Sequence, residues 1–140
     1  ICELIDTKRI NFKCSTNTVG YQEQLDRMNQ CDVYIEMFTE KDGNGSRYGD
    51  FGITALEAAA MGKVVITNSQ QKHEGIYAKH YGRSFFCACN TEEKFKVAVR
   101  NFNRDESLLR ESAKSARELV VKNHSYQATG NYFIKNILNG

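Results

Sequence analysis

The sequence predicts a doubly wound, Rossmann-like α/β fold: a parallel sheet with helices on both faces. Three observations carry this. Strand-sized apolar runs alternate with segments of helical periodicity along the 140 residues. One of the runs, "KVVIT" (63–67), is β-branched from its second residue on, as befits a central strand buried on both faces. Glycines sit where helices should stop, Gly62 before "KVVIT" and Gly82 before the next run.

Taken in order, "INFKCS" (10–15) is a short strand candidate. "NTVGYQEQLDRMNQC" (17–31) follows as a helix whose Val19, Leu25 and Met28 form an apolar stripe. "DVYIEMF" (32–38) alternates Val33, Ile35 and Met37 against Tyr34, Glu36 and Phe38, a strand partly buried on both faces. A glycine-rich loop leads to a helix that begins near Ile53 and ends at Gly62, and "KVVIT" comes next. "QQKHEGIYAKHYG" (70–82) is helical in part, and "SFFCAC" (84–89) is a second buried strand. "NTEEKFKVAVRNFNRD" (90–105) opens on Asn90 or Thr91 as N-cap, with acids in its first turn. Its Phe95, Val99 and Phe102 recur at helical spacing. A long helix follows, with Leu108, Leu109, Ala113, Ala116, Leu119 and Val120 on its inner side, and the tail "SYQATGNYFIKNILNG" adds a last one. The closing helices are expected to pack over one edge of the sheet.

Composition limits the possibilities. Hydrophobic residues make up 41% and charged residues 26%, a globular balance. Nineteen basic and 17 acidic side chains leave a net charge of +2 with no long basic run, so no nucleic-acid partner is expected. No apolar stretch approaches the roughly 18–20 residues of a membrane span. The five cysteines, Cys2, Cys14, Cys31, Cys87 and Cys89, are odd in number and read as reduced thiols. Cys87 and Cys89 share one face of their strand, and two small buried residues are a better reading of them than metal ligands. The chain has no proline, where about 5% is ordinary, and it opens at Ile1 rather than methionine. A single domain over 1–140, part of a longer polypeptide, is the expectation.

The loop and helix "TEKDGNGSRYGDFGITALEAAAMGK" (39–63) carry the chemistry. Glu40, Asp42, Asn44 and Gly45 imitate the start of a calcium loop, but Phe51 stands where that loop needs a bidentate glutamate. Gly43, Gly45 and Gly49 are one residue too widely spaced for a dinucleotide fingerprint and lie too far before the helix. Residues 42–46 therefore read as an exposed turn. The helix mouth is more specific. Gly49 and Gly52 flank Phe51 and allow a ligand to approach the backbone closely. Free N–H groups from Gly52 to Thr54, with the helix dipole, favour an anion such as phosphate. Glu57 lies roughly 7–8 Å further along the axis. A carboxylate there can accept from the vicinal hydroxyls of a ribose. Its neighbours Ala55, Leu56, Ala58, Ala59, Ala60 and Met61 are apolar, so a buried carboxylate in need of partners is expected, satisfied by a ligand in preference to a structural hydrogen bond.

The segment "GDFGITALEAAAMGKVVI" resembles the signature of the retaining GT-B glycosyltransferases (glycosyltransferase family 4-like), with Phe51, Gly52, Glu57, Ala58, Gly62 and Val65 in register. "YQEQLDRMNQCDVYIEMF", "HEGIYAKHYGRSFF", "NTEEKFKVAV" and "NHSYQATGNYFIKNI" look like the neighbouring segments of that family, so the resemblance covers most of the chain. It implies the donor-binding C-terminal domain of a GT-B enzyme. A nucleotide diphosphate sugar would be held by Phe51, Gly52, Ile53 and Thr54 at its diphosphate and sugar, and by Glu57 at its ribose. The sugar would pass to an acceptor with retained configuration, and no metal or other cofactor is implied. The family's first glutamate falls on Gly49, which leaves the adjacent Asp50 as the acid for the donor-sugar contact. The strand–helix units that carry the family's basic pair, and the acceptor-binding N-terminal domain, do not occur in these 140 residues, so the fragment alone is expected to be inactive. On that pattern "INFKCS" would be an edge strand.

Two alternatives remain: a catalytically inactive nucleotide-sugar-binding module, and a sugar-nucleotide epimerase of the same fold. His73, His80 and His124 lack metal-ligand spacing and read as structural or exposed. Arg47, Tyr48, Lys72 and Arg83 are secondary candidates near an anion or a sugar. The expected location is the cytoplasm, with peripheral attachment to a membrane left open.

Overall fold

The computed structural model of the chain describes residues 10–14, 17–36, 51–68, 71–82 and 86–138, with 71–75 as backbone alone. Its elements are α1 (Tyr21–Asn29), β1 (Val33–Ile35), α2 (Ile53–Ala60), β2 (Val64–Thr67), α3 (Gln71–Tyr81), β3 (Cys87–Ala88), α4 (Glu92–Arg104), α5 (Glu106–His124) and α6 (Tyr126–Phe133). A π-helical turn, Ile134–Leu138, continues α6.

Among the described residues the strands form one parallel sheet in the order β1-β2-β3. Val33, Tyr34 and Ile35 pair with Val64, Val65 and Ile66, and Ile66 and Thr67 pair with Cys87 and Ala88. The β-branched run is central, and all four of its residues are buried. Alternation along β2 divides the core between the two faces. Val65 packs with Met28 of α1, with Ala55, Ala58 and Ala59 of α2, and with Ala116, Leu119 and Val120 of α5. Ile66 turns the other way, to Cys89 and to Phe95 and Ala98 of α4. Helices therefore cover both faces, as a doubly wound sheet requires.

Helix ends are set by local chemistry. Gly62 has φ +75°, a conformation that only glycine adopts freely. Its N–H donates to the Ala59 carbonyl and the Lys63 N–H to the Ala58 carbonyl, the paired bonds of a Schellman turn. Gly82 (φ +81°) ends α3, its N–H donating to Ala78. Thr91, Asp105 and Ser125 cap α4, α5 and α6 by accepting from Lys94, Leu108 and Ala128. The Arg117 guanidinium of α5 donates to the Ala60 carbonyl, adding a second tie at the end of α2.

Some expectations change. Residues 10–14 form no strand: the Phe12 N–H donates to the Ile10 carbonyl, a three-residue turn that folds the backbone back on itself. Ile10 and Phe12 contribute instead as side chains packed against the Ile66–Phe95 cluster. Val19 precedes α1 rather than lying on it. The closing helices do not gather at one edge: α5 lies on a sheet face against α2 and β2, with α6 beside it. Met37 and Phe38 fall outside the described residues.

Phe95 is fully buried between α4 and the sheet. Phe95→Ala should cost about 3–5 kcal/mol of unfolding free energy. Urea unfolding followed by circular dichroism measures it, and a loss below about 1 kcal/mol would mean that this layer is not packed as described.

Candidate functional site

The chain leaves the three parallel strands at Glu36, Asn68 and Cys89, and α2 begins over the same end of the sheet. Ligands of open parallel sheets bind at this end. Gly52 is the N-cap of α2 (φ −98°, ψ 179°) and supplies no side chain to cap it. Another residue does so. Glu36, one position beyond β1, accepts from the Gly52 N–H (3.1 Å, Oε2) and from the Thr54 hydroxyl (2.5 Å, Oε1). A carboxylate on the first turn of a helix is favoured by both the orphan N–H groups and the dipole. A Cβ on residue 52 would lie 3.0 Å from Glu36 Oε1, so glycine makes this approach possible. The sequence reading places an incoming anion at this mouth; in the structure Glu36 fills part of that position.

Glu57 lies one turn in and is only partly buried. The expectation of a carboxylate enclosed on all sides is corrected: Ala55, Ala58 and Ala59 face the core, Ile53 is 75% exposed, and Glu57 lies between these extremes. Its partner is the Tyr21 phenol at the start of α1, which donates to Oε1 at 2.8 Å. That bond and the carboxylate's charge push the Tyr21 phenol above the ordinary tyrosine range. Tyr34 of β1 stands near both acids. Burial raises its phenol first, with smaller contributions from the charges of Glu36 and Glu57, while the Thr54 side chain, within hydrogen-bonding reach, opposes them. The mouth of α2 is thus lined by two carboxylates, two phenols and one hydroxyl.

Phe51 anchors the entry to α2. Its ring lies 4.8 Å from Phe86, edge to face, and 5.4 Å from Tyr77, and the row continues from Tyr77 to Tyr81 and His124. The Phe51 side chain is therefore packed against the core. Gly52, Ile53 and Thr54 form the first turn as the sequence predicts, and their N–H groups belong to the part of a helix that has no internal acceptors.

Gly49, Asp50, Arg47, Tyr48 and Arg83 lie outside the described residues, as do the side chains of Lys72 and His73. His80 and His124 lie against Tyr81. Among the described residues no three His, Cys, Asp or Glu side chains come together to hold a metal. A cleft of 280 Å³ opens between α4 and α5 near the amino end of β2. Tyr21, Tyr34 and Glu36 escaped the sequence reading. For Glu36 the signal was available: an acid at the end of a predicted strand, followed by a helix whose cap position is glycine.

A Rossmann-like domain with a glycine-led helix over the strand ends defines a class, the α/β domains that present a helix mouth to a ligand. Comparison narrows it. The family model described as glycosyl transferase-like matches residues 5–135, and the chain belongs to that family, whose general activity is glycosyl transfer. No curated protein and no solved structure matches the chain. No helix among the described residues is long and apolar enough to cross a membrane.

Two outcomes test this geometry. The raised Tyr21 phenol favours the contact fully below about pH 10, the ordinary tyrosine value, and the contact is lost as pH rises through the raised folded value. The ultraviolet difference titration between the wild type and Tyr21→Phe should therefore show one phenol ionising above its ordinary range, and Glu57→Gln should return it downward. A difference curve at the ordinary value would mean the bond does not persist in solution. Glu36→Ala removes the cap of α2 and should lower stability by about 1 kcal/mol in urea unfolding; an unchanged midpoint would mean that solvent caps the helix equally well.

Proposed function

We propose that this chain is the donor-binding part of a retaining GT-B glycosyltransferase, taking a sugar from a nucleotide diphosphate sugar. The observation that carries the reading is Glu57 one turn behind a Gly52-led helix mouth, in a member of the glycosyl transferase-like family. Donor binding at that mouth would place diphosphate oxygens on the N–H groups of Gly52, Ile53 and Thr54. The ribose hydroxyls would donate to Glu57, with the exposed Tyr21 phenol swinging aside or remaining as a second contact. Phe51 holds the turn, and Asp50, its neighbour in sequence, would be the acid for the donor sugar. In the reaction the bond from the anomeric carbon to the diphosphate breaks, a new one forms to the acceptor oxygen on the same face, and the acceptor hydroxyl's proton passes to the leaving diphosphate.

Glu36 bears directly on this reading. Its carboxylate holds the Gly52 N–H, and a diphosphate needs that donor. Binding therefore requires Glu36 to release α2, and the charge of Glu36 opposes an anion until it does. A second reading, an inactive module of the same fold, is favoured by this internal cap alone.

Calorimetric titration of the full polypeptide with UDP-, GDP- and ADP-sugars tests the proposal. One nucleotide should bind, and Glu57→Ala should weaken it about tenfold or more, as the loss of a charge-assisted hydrogen bond implies. Transfer or hydrolysis of the donor supports the enzyme reading, binding without turnover supports the module, and an isomerised sugar supports the epimerase. Affinity unaffected by Glu57→Ala, or no nucleotide affinity at all, sinks the donor site.

A further inference from the structure

Cys87 and Cys89 play no part in the reading of the α2 mouth. They lie on one face of β3 and its continuation, with sulfurs 3.8 Å apart. Their surroundings differ. Cys89 is 1% exposed, sealed in the cluster with Ile66, Phe95 and Ala98. Cys87 is only partly buried and forms part of the wall of the cleft between α4 and α5, beside Ala98, Phe102 and Ala116. One thiol is thus open to a small solute and the other to its neighbour alone.

We propose that Cys87 and Cys89 form a reversible disulfide, with Cys87 the thiol that a peroxide attacks through the α4–α5 cleft and Cys89 the one that resolves it. Two residues apart on an extended strand are separated by roughly 6.6 Å between Cα atoms. Bridged cysteines span about 4.4–6.8 Å between Cα atoms, so the pair lies near the upper limit, and their parallel Cβ atoms must be drawn to about 3.5–4.5 Å by a local bend of the strand. A bond made there carries strain and is readily reduced, the property of a regulatory rather than a structural disulfide. The shared hydrogen bond favours the step as well: the Cys89 thiol lowers the Cys87 pKa, while Cys87 and burial raise that of Cys89.

The chemistry balances in two steps. The Cys87 thiolate attacks one oxygen of hydrogen peroxide, giving a sulfenic acid and, with the proton returned, one water. The Cys89 sulfur then displaces the hydroxyl from the Cys87 sulfur, forming the S–S bond and a second water. Together the thiols lose two electrons and two protons, and the peroxide is reduced to water. Since Cys87 pairs with Ile66 and Ala88 with Thr67, drawing the two sulfurs together strains β3 against the carboxyl end of β2.

Arg83 and Lys94 bound a tryptic peptide, 84–94, that holds both thiols and no other cysteine. The folded chain is treated with hydrogen peroxide, freed of peroxide with catalase, unfolded in urea containing N-ethylmaleimide, digested and weighed. The peptide should lose two hydrogens and take up no maleimide, then take up two after reduction. In Cys89→Ser, Cys87 should stop at the sulfenic acid and be captured by dimedone; in Cys87→Ser, Cys89 should remain reduced. Two maleimides on the peptide after peroxide, capture at Cys89 in preference to Cys87, or a disulfide that forms only in urea would each overturn the proposal.

Discussion

The alanine face of α2 is the constraint on which the rest of the structure depends. Ala55, Ala58 and Ala59 are wholly buried between β2 and α5. With no side chain beyond Cβ, they let the helix lie close to both neighbours, and any larger residue would lift it off the sheet. The height of α2 above the strand ends determines where Gly52 meets Glu36 and where Glu57 meets Tyr21. The site is therefore positioned from below, by packing, before any polar contact is made. The Schellman turn at Gly62 and the Arg117 contact fix the far end of the same helix. Its axis is held from both ends while its first turn stays open to solvent.

At the open end the molecule resolves a polar problem in its own way. A first turn offers N–H groups without internal acceptors, and a glycine cap cannot supply one. Glu36 reaches across from β1 and does so. A donor site reading of the family and an internally capped helix are compatible only if the carboxylate is exchangeable. Both partners suit exchange: the Gly52 backbone is exposed, and the acid sits at the end of a strand rather than inside it.

Much of this was legible in the sequence, for identifiable reasons. The buried run Val64–Thr67, the glycine stops at 62 and 82, the start of α2 at Ile53 and the Thr91 cap all follow from local chemistry, which sequence records directly. The short first segment misled because "INFKCS" has strand composition, whereas its backbone turns at Ile10–Phe12; tertiary packing overrode propensity. Glu57 was found but its surroundings were misjudged. Apolar neighbours in sequence wrap a helix by angle, and the face that holds Glu57 and Ile53 turns to solvent. The contacts from Tyr21 and Glu36 span 36 and 16 residues, and no local pattern encodes them.

Asp105 ends α4 and, with its carboxylate on the Leu108 N–H, begins α5. One residue serving two helices leaves no slack in the joint, which behaves as an elbow rather than a tether. The walls of the α4–α5 cleft can then part only as a hinged pair does, with the least travel beside the joint and the most at the far ends. Any widening of the cleft would then be least beside the elbow and greatest away from it, in the manner of a pair of calipers.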